Sequence, residues 1–191
     1  AYRACATASL REAANGAELV KLVQKDSGLK IEIIDGKTEA ELIYSNHTEE
    51  LLNHSRSYLY IDVGGGSTEI TLFDKGVWQA SKSFNIGTLR WLQGKVSKDL
   101  WLEMKEWVKD VTADHEQISA IGSGGNINKL FKMLGRKDKP LFFSQIKMLY
   151  DEMKPLSIDE RIERWDFNPD RADVIVPAAK IFLSIMKAAS I

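Results

Sequence analysis

The chain has 191 residues, 26 Lys and Arg against 27 Asp and Glu, and a formal net charge of -1. Its 44% hydrophobic content is enough for a core and excludes the disordered class. The even charge balance argues against nucleic acid as the main partner, and no apolar run approaches the ~20 residues that a bilayer-spanning helix needs, so no membrane partner is expected.

Ala1 to Ala6 lacks the apolar core of a signal peptide. Cys5, the single cysteine, excludes an internal disulfide and a thiolate metal cluster; it reads as buried filler, and a reduced, cytoplasmic setting is expected. From Thr7 to about Gln24, Ala, Leu and Val recur at helical spacing, and Asn15-Gly16 splits the stretch into two helices. Lys30 to Ile34 alternates and stops at Asp35-Gly36, which predicts a strand; Glu39 to Tyr44 predicts a short helix. Ser57 to Phe73 reads as strand, triple-glycine turn, strand. Asp74-Lys75-Gly76 predicts a hairpin, Val77 to Ile86 a third strand antiparallel to the second, and Thr88 to Gln93 a helix start after Gly87.

Asp99 to His115 predicts a helix whose Trp101, Met104, Val108 and Val111 face a core. Gln117 to Ile121 predicts a strand, turned by Gly122-Ser123-Gly124-Gly125-Asn126 into a helix from about Ile127 to Leu134. Lys132, Arg136, Lys137 and Lys139 read as a solvated helix end, or else as a rim that attracts a polyanion. Ser144 to Met153 predicts a helix, and Ser157-Ile158-Asp159-Glu160 has the form of a capping box before another that ends near Trp165. Val174 to Ala189 predicts the last helix, with Pro177 in its first turns or at a kink. The order is that of an α/β domain with glycine turns at the exits of two strands, which suggests two walls of one phosphate site.

Glycine N–H groups can converge on an anion, so Gly64, Gly65 and Gly66 are candidate phosphate ligands. Asp62 just before them is a candidate magnesium ligand, because hard cations take oxygen. Ser67 and Thr68 bond either a phosphate oxygen or nearby backbone. Glu69 either faces solvent or orients water or metal beside Asp62. Gly124, Gly125 and Asn126 precede a helix N-terminus, an anion site by geometry, although the spacing is not that of a P-loop. His47, His54 and His115 have no metal spacing and read as surface residues.

These residues resemble the exopolyphosphatase / guanosine pentaphosphate phosphatase (Ppx/GppA) family of the actin-like ATPase superfamily. Ala6-Thr7-Ala8-Ser9-Leu10-Arg11-Glu12-Ala13-Ala14-Asn15 looks like one family segment, and Ile31 through Tyr44, with Asp35-Gly36 and Glu39-Ala40, looks like a second. Ile61-Asp62-Val63-Gly64-Gly65-Gly66-Ser67-Thr68-Glu69 is similar to the second phosphate motif, and Arg171-Ala172-Asp173-Val174-Ile175-Val176-Pro177-Ala178 resembles the R-A-D-x-I-x-P-A/G helix. The likeness covers nearly the whole chain. Asn126 departs from it, with an amide where the family has the hydroxyl of a Gly-Thr pair.

The resemblance implies one RNase H-like domain over residues 1–191, forming the second half of a two-domain clamp. The first phosphate loop would lie in an N-terminal half that this sequence does not contain, so the stretch alone is expected to be inactive. The resemblance further implies hydrolysis of the terminal phosphoanhydride of inorganic polyphosphate or guanosine pentaphosphate with Mg2+. Glu39 would be the general base, and Asp62, Gly64 and Glu69 would hold metal or phosphate. The family often forms homodimers. Two other readings stand beside this one. The first is an ATPase or sugar-kinase-like phosphotransferase of the same superfamily; the second is a non-catalytic sensor of polyphosphate or guanosine pentaphosphate.

Overall fold

The computed structural model describes residues 2–7, 10–11, 13–35, 38–39, 42, 55–135 and 139–191. The chain divides into two compact units, residues 1–53 and 54–191.

The first unit holds a parallel pair of short strands, β1 (Ala4–Ala6) and β2 (Ile31–Ile33), with Ala4 opposite Ile31 and Ala6 opposite Ile33. Helix α1 (Gly16–Ser27) connects them, as parallel strands require a crossover. It starts where Asn15-Gly16 predicts a break, and Gly28 ends it in a left-handed conformation at φ 72°. Strand β1 is too short to show alternation in the sequence. It leaves Cys5 exposed rather than buried, because alternate residues of a strand face opposite ways. Thr38, Glu39 and Leu42 are helical where a short helix is predicted; residues 40–41 and 43–44 of it lie outside the described residues, as do His47, His54, Arg136 and Lys137.

The second unit is built on a four-stranded mixed sheet of β3 (Ser57–Val63), β4 (Thr68–Asp74), β5 (Val77–Phe84) and β6 (Ile118–Ser123), in the spatial order β5, β4, β3, β6. Strands β3, β4 and β5 form an antiparallel meander, and β6 joins β3 in parallel. Lys75 and Gly76 turn the second hairpin with φ of 50° and 84°, the positive values a tight two-residue turn needs. Leu59, Ile61, Val63, Ile70 and Leu72 fill one face of the sheet.

The helices of this unit are α2 (Thr88–Leu92), α3 (Lys98–Thr112), α4 (Gly125–Met133), α5 (Phe143–Met153), α6 (Ile158–Trp165), α7 (Pro169–Ala172) and α8 (Ile175–Ala188). The predicted capping box opens α6: Glu160 N–H donates to Ser157 Oγ at 3.2 Å, and Ser157 N–H donates to Glu160 Oε2 at 2.7 Å. Helix α7 is absent from the prediction, since four residues carry no periodicity. Helix α8 is apolar nearly all round because it is packed on both sides. Ala178, Ile181, Phe182 and Ile185 meet the sheet and the Met104 and Val108 side of α3, while Ile175, Ala179, Leu183 and Met186 meet α4 and α5 residues. Pro177 falls in its first turn, where no intrahelical N–H bond is lost. None of the helices among the described residues is long and apolar enough to cross a membrane.

At the end of the sheet opposite the glycine turn, Ser57 Oγ donates to Asp74 Oδ1 at 2.7 Å and lies 3.2 Å from His115 Nδ1. His115 is thus half-buried in a tie between strands, not the surface residue expected. The Ser57 hydrogen bond, followed by the charges of Lys75 and His115, holds the Asp74 carboxyl below its ordinary value. A depressed folded-state pKa contributes stability that is complete above the unfolded value of about 3.9 and is lost as pH falls through the folded one. A Ser57→Ala variant is therefore expected to melt below the wild type near neutral pH, the gap closing in acid. Thermal melts across a pH series measure this; a gap constant down to about pH 3 would reject the tie.

Candidate functional site

Both glycine loops sit at the C-terminal ends of adjacent parallel strands, with Asp62 of β3 beside Ser123 of β6. The sequence shows the two loops but not this pairing. The register also puts Glu69 opposite Asp62, and Ser83 opposite Glu69. Directly opposite residues share a face, so a polar row of Ser123, Asp62, Glu69 and Ser83 crosses the sheet on the face away from the Leu59 and Ile61 core.

The triple-glycine turn closes on itself, Gly64 N–H donating to Ser67 O at 2.9 Å. Helix α2 grips it from one side. Thr88 N–H donates to Gly64 O at 3.0 Å, Leu89 and Arg90 N–H both donate to Gly65 O at 3.0 and 3.1 Å, and Arg90 Nε donates to Gly66 O at 2.9 Å. With all three carbonyls turned toward α2, the trans peptide geometry turns the N–H groups of Gly65, Gly66 and Ser67 the other way. Among the described residues these N–H groups have no backbone acceptor. They form a cluster of free donors of the kind that binds phosphate. None of the three glycines has a positive φ. A Cβ on Gly66 would meet nothing within 4 Å, so space for an approaching group is what glycine supplies there.

The second loop provides the facing donors. Gly124, at φ 99°, caps α4 without any side-chain hydrogen bond, which leaves the first N–H groups of that helix open to an anion. A Cβ on Gly124 would lie 3.5 Å from Asp62 Oδ1, so the two loops adjoin at that carboxylate. Gly122, expected within the loop, lies inside β6, where a Cβ would sit 2.7 Å from Ile127 Cγ1; its role is packing. The Arg171 guanidinium covers the start of α4, its Nη2 2.7 Å from where a Gly125 Cβ would be, and its Nη1 donates to Asn126 Oδ1. A cation at the positive end of a helix is unfavourable by itself; an anion held between them removes the conflict.

Burial first, and the Glu69 charge second, raise the Asp62 carboxyl above its ordinary value. Glu69 is held in place: its Oε1 accepts from Ser67 Oγ at 2.7 Å and from Ser83 Oγ at 2.9 Å. The Ser67 hydroxyl therefore orients a carboxylate, and the Ser67 backbone N–H is its group free for phosphate. Thr68 is corrected more fully. It is completely buried, and its Oγ1 donates to Ile86 O at 2.5 Å, so its hydroxyl ties β4 to the start of the α2 turn instead of facing a ligand. No group of three or more His, Cys, Asp or Glu among the described residues forms a metal cluster. A hard cation nonetheless fits Asp62 and Glu69. A buried carboxylate whose ionisation is opposed by a facing carboxylate, as at Asp62, is the setting a cation relieves, and Mg2+ commonly takes one or two carboxylates plus substrate phosphate and water.

Glu39 lies in the first unit. Its Oε2 is 3.6 Å from Arg11 Nη1, and the same Nη1 donates to Ile34 O at 2.8 Å, so Arg11 ties the short helix to the end of β2. Asp35 supports the turn before it, accepting from Thr38 N–H at 2.7 Å. Sequence reasoning names neither Arg11, Ser83, Gly87 nor Arg90 as part of the machinery. Arg11 and Arg171 stand inside recognised segments, which was the available signal; Ser83, Gly87 and Arg90 carry none, because their roles depend on which strand and helix lie beside the turn.

A model of the Ppx/GppA phosphatase family matches residues 2–191. The chain is 26% identical over 178 residues to a guanosine-5'-triphosphate,3'-diphosphate pyrophosphatase of Aliivibrio fischeri, covering 82% of this chain and 35% of that protein. It is 25% identical over 194 residues to a protein of Haemophilus influenzae whose name, exopolyphosphatase, is itself provisional, covering 94% of this chain and 60% of that one. The chain thus spans between about a third and three-fifths of these curated relatives. Its fold is similar to the Aquifex aeolicus member of the Ppx/GppA family at a TM-score of 0.76 and 23% identity, over 98% of this chain and 67% of that one. An exopolyphosphatase structure from Cytophaga hutchinsonii matches at a TM-score of 0.76 and 22% identity, over 97% of this chain and 67% of that one.

Proposed function

The chain belongs to the Ppx/GppA phosphatase family, and from that premise we propose that the protein hydrolyses the terminal phosphoanhydride bond of inorganic polyphosphate or guanosine pentaphosphate. The observation that carries the reading is the meeting of two sets of free N–H donors beside Asp62, at the ends of β3 and β6. Such hydrolysis is mostly positioning and charge neutralisation, and this is what the site residues supply. The N–H groups of Gly65, Gly66 and Ser67 hold the oxygens of the terminal phosphoryl group. The start of α4 and the Arg171 cation hold the next phosphate. Asp62 and Glu69 would hold Mg2+, which when bound offsets the charge of the phosphates. The family likeness assigns the general base to Glu39. A water oxygen attacks the terminal phosphorus, the bridging P–O bond breaks, the water proton passes to the Glu39 carboxylate, and the shortened chain leaves with the bridging oxygen.

The remaining expectations belong to the same proposal: residues 1–191 as one wall of a two-domain clamp, a homodimer of the full protein, and a cytoplasmic setting where such substrates occur. The test is phosphate release by the full-length protein from long polyphosphate, guanosine pentaphosphate and ATP, each with and without Mg2+. Release from either of the first two, lost on chelation, is expected. Preference for ATP would instead support the ATPase reading, and binding without release the sensor reading. In the same assay Glu39→Gln is expected to lower kcat by about 10²–10⁴-fold, the usual contribution of a positioned base, with little change in KM. Turnover at the wild-type rate would reject Glu39 as base.

A further inference from the structure

Both hydroxyl groups that hold Glu69 reach the same oxygen. Ser67 Oγ donates to Glu69 Oε1 at 2.7 Å, and Ser83 Oγ donates to Oε1 at 2.9 Å. Among the described residues Oε2 accepts no hydrogen bond. The two donors arrive by different routes. Ser67 precedes Glu69 by two residues at the end of the glycine turn, whereas Ser83 lies on β5 and comes opposite Glu69 only through the register of β4 with β5. On the other neighbouring strand, β3, Asp62 is opposite Glu69. The Glu69 position therefore stands between Asp62 on one side and Ser83 on the other.

A glutamate is long and flexible, and fixing it costs rotamer freedom. Donors that reach one oxygen along separate paths meet that cost on folding, so less of it falls on the binding of a ligand. The β4–β5 ladder does not depend on Ser83 for this face. Two residues along, Thr71 and Ser81 are opposite one another and share a hydrogen bond, Oγ1 to Oγ at 2.9 Å. Ser83 itself is exposed. We propose that Ser83 is a positioning residue for the cation site: with Ser67 it commits Oε1 of Glu69 and leaves Oε2 as the oxygen offered to Mg2+. Ser83 touches neither cation nor substrate. It acts through Glu69, as groups that hydrogen-bond a metal-binding carboxylate do, and such groups tune metal affinity. The inference rests on the reading that Asp62 and Glu69 hold Mg2+, and adds the residue that sets how tightly.

The test is the rise in melting temperature of the full-length protein across a Mg2+ titration, run without substrate on the wild type, Ser83→Ala, Ser83→Thr and Ser81→Ala. An ion that binds the native state raises the melting temperature with its concentration. Without Mg2+, Ser83→Ala is expected to melt as the wild type does; it should then need about 10–100-fold more Mg2+ for the same rise. Ser83→Thr keeps the hydroxyl and should need no more Mg2+ than the wild type. The same holds for Ser81→Ala, whose lost hydroxyl serves Thr71 and not Glu69. A merely structural role for Ser83 would lower the melt without Mg2+ and leave the Mg2+ requirement unmoved. That result, a Ser83→Thr protein as weak toward Mg2+ as Ser83→Ala, an equal loss in Ser81→Ala, or a wild type that does not respond to Mg2+ would each overturn the proposal. Proteins that titrate as expected but release no phosphate from polyphosphate or guanosine pentaphosphate would reject the hydrolytic reading and leave the role of Ser83 standing.

Discussion

Replacing Gly87 with alanine is expected to disable the phosphate loop. The backbone at Gly87 is extended, with φ -130° and ψ 164°, so any residue could adopt it. What forbids a side chain is space. An alanine Cβ would lie 2.4 Å from Gly65 O and 2.5 Å from the carbonyl carbons of Gly65 and Gly66, all of them backbone atoms. No rotamer change relieves such a contact, so either the glycine turn or the start of α2 must move. Moving them breaks the hydrogen bonds from Thr88, Leu89 and Arg90 that hold the loop carbonyls. The overpacking is expected to cost about 1–3 kcal/mol of stability. For a chain of this size that lowers Tm by about 2–4 °C per kcal/mol. Turnover should fall by about 10²-fold or more, because an ångström of misplacement in a positioned site costs that much.

Gly66→Ala is the matched control, since its Cβ points into open space within the free molecule. It should melt within about 0.5 kcal/mol of the wild type and yet raise KM, if phosphate approaches there. Calorimetry and phosphate release on the two variants separate the cases. A Gly87→Ala protein with the wild-type melt and rate would show that α2 does not shape the loop.

Asp62→Asn is expected to move stability and activity in opposite directions. Burial and the facing Glu69 raise the Asp62 carboxyl above its ordinary value. A raised folded-state pKa on an acid means that the native state prefers the protonated form. Stability linked to this group is therefore greatest below the unfolded value of about 3.9, falls as pH rises toward the folded pKa, and stays reduced above it. At neutral pH the burial and the facing charge at Asp62 work against folding, and the neutral amide removes that cost without changing the shape. The variant should melt at a higher temperature than the wild type near pH 7, with the difference shrinking in acid. Phosphate release should drop by about 10²-fold or more, the scale of losing one preorganised electrostatic contact. Mg2+ gives an independent readout: it should raise the wild-type melting temperature and leave that of Asp62→Asn unmoved. A destabilised variant, or one that responds to Mg2+ as the wild type does, would remove Asp62 from the cation site.

The regular elements were legible wherever local chemistry decides them. The Lys75-Gly76 hairpin, the Ser157 and Glu160 capping box, and the apolar α8 with Pro177 in its first turn all express interactions within a few residues of one another. Helix α7 escaped because four residues carry no period. The candidate site was legible as a list of residue types in recognised segments, which named both glycine loops, Asp62 and Glu69. Inference erred at Thr68, where a hydroxyl next to a glycine turn has the same sequence whether it faces a phosphate or the core.

By itself, then, the sequence determined the kinds of element, their order and the presence of two anion-ready glycine turns, because propensity, capping and turn geometry act over short range. Only the tertiary structure decided that β6 lies parallel to β3 and brings Gly124 against Asp62, that α2 turns three carbonyls inward and so frees three N–H groups, and that Arg171 rests on the start of α4. Those pairings join residues far apart in the chain. Many registers and partners satisfy the same hydrophobic pattern, and the packing of the whole unit selects among them.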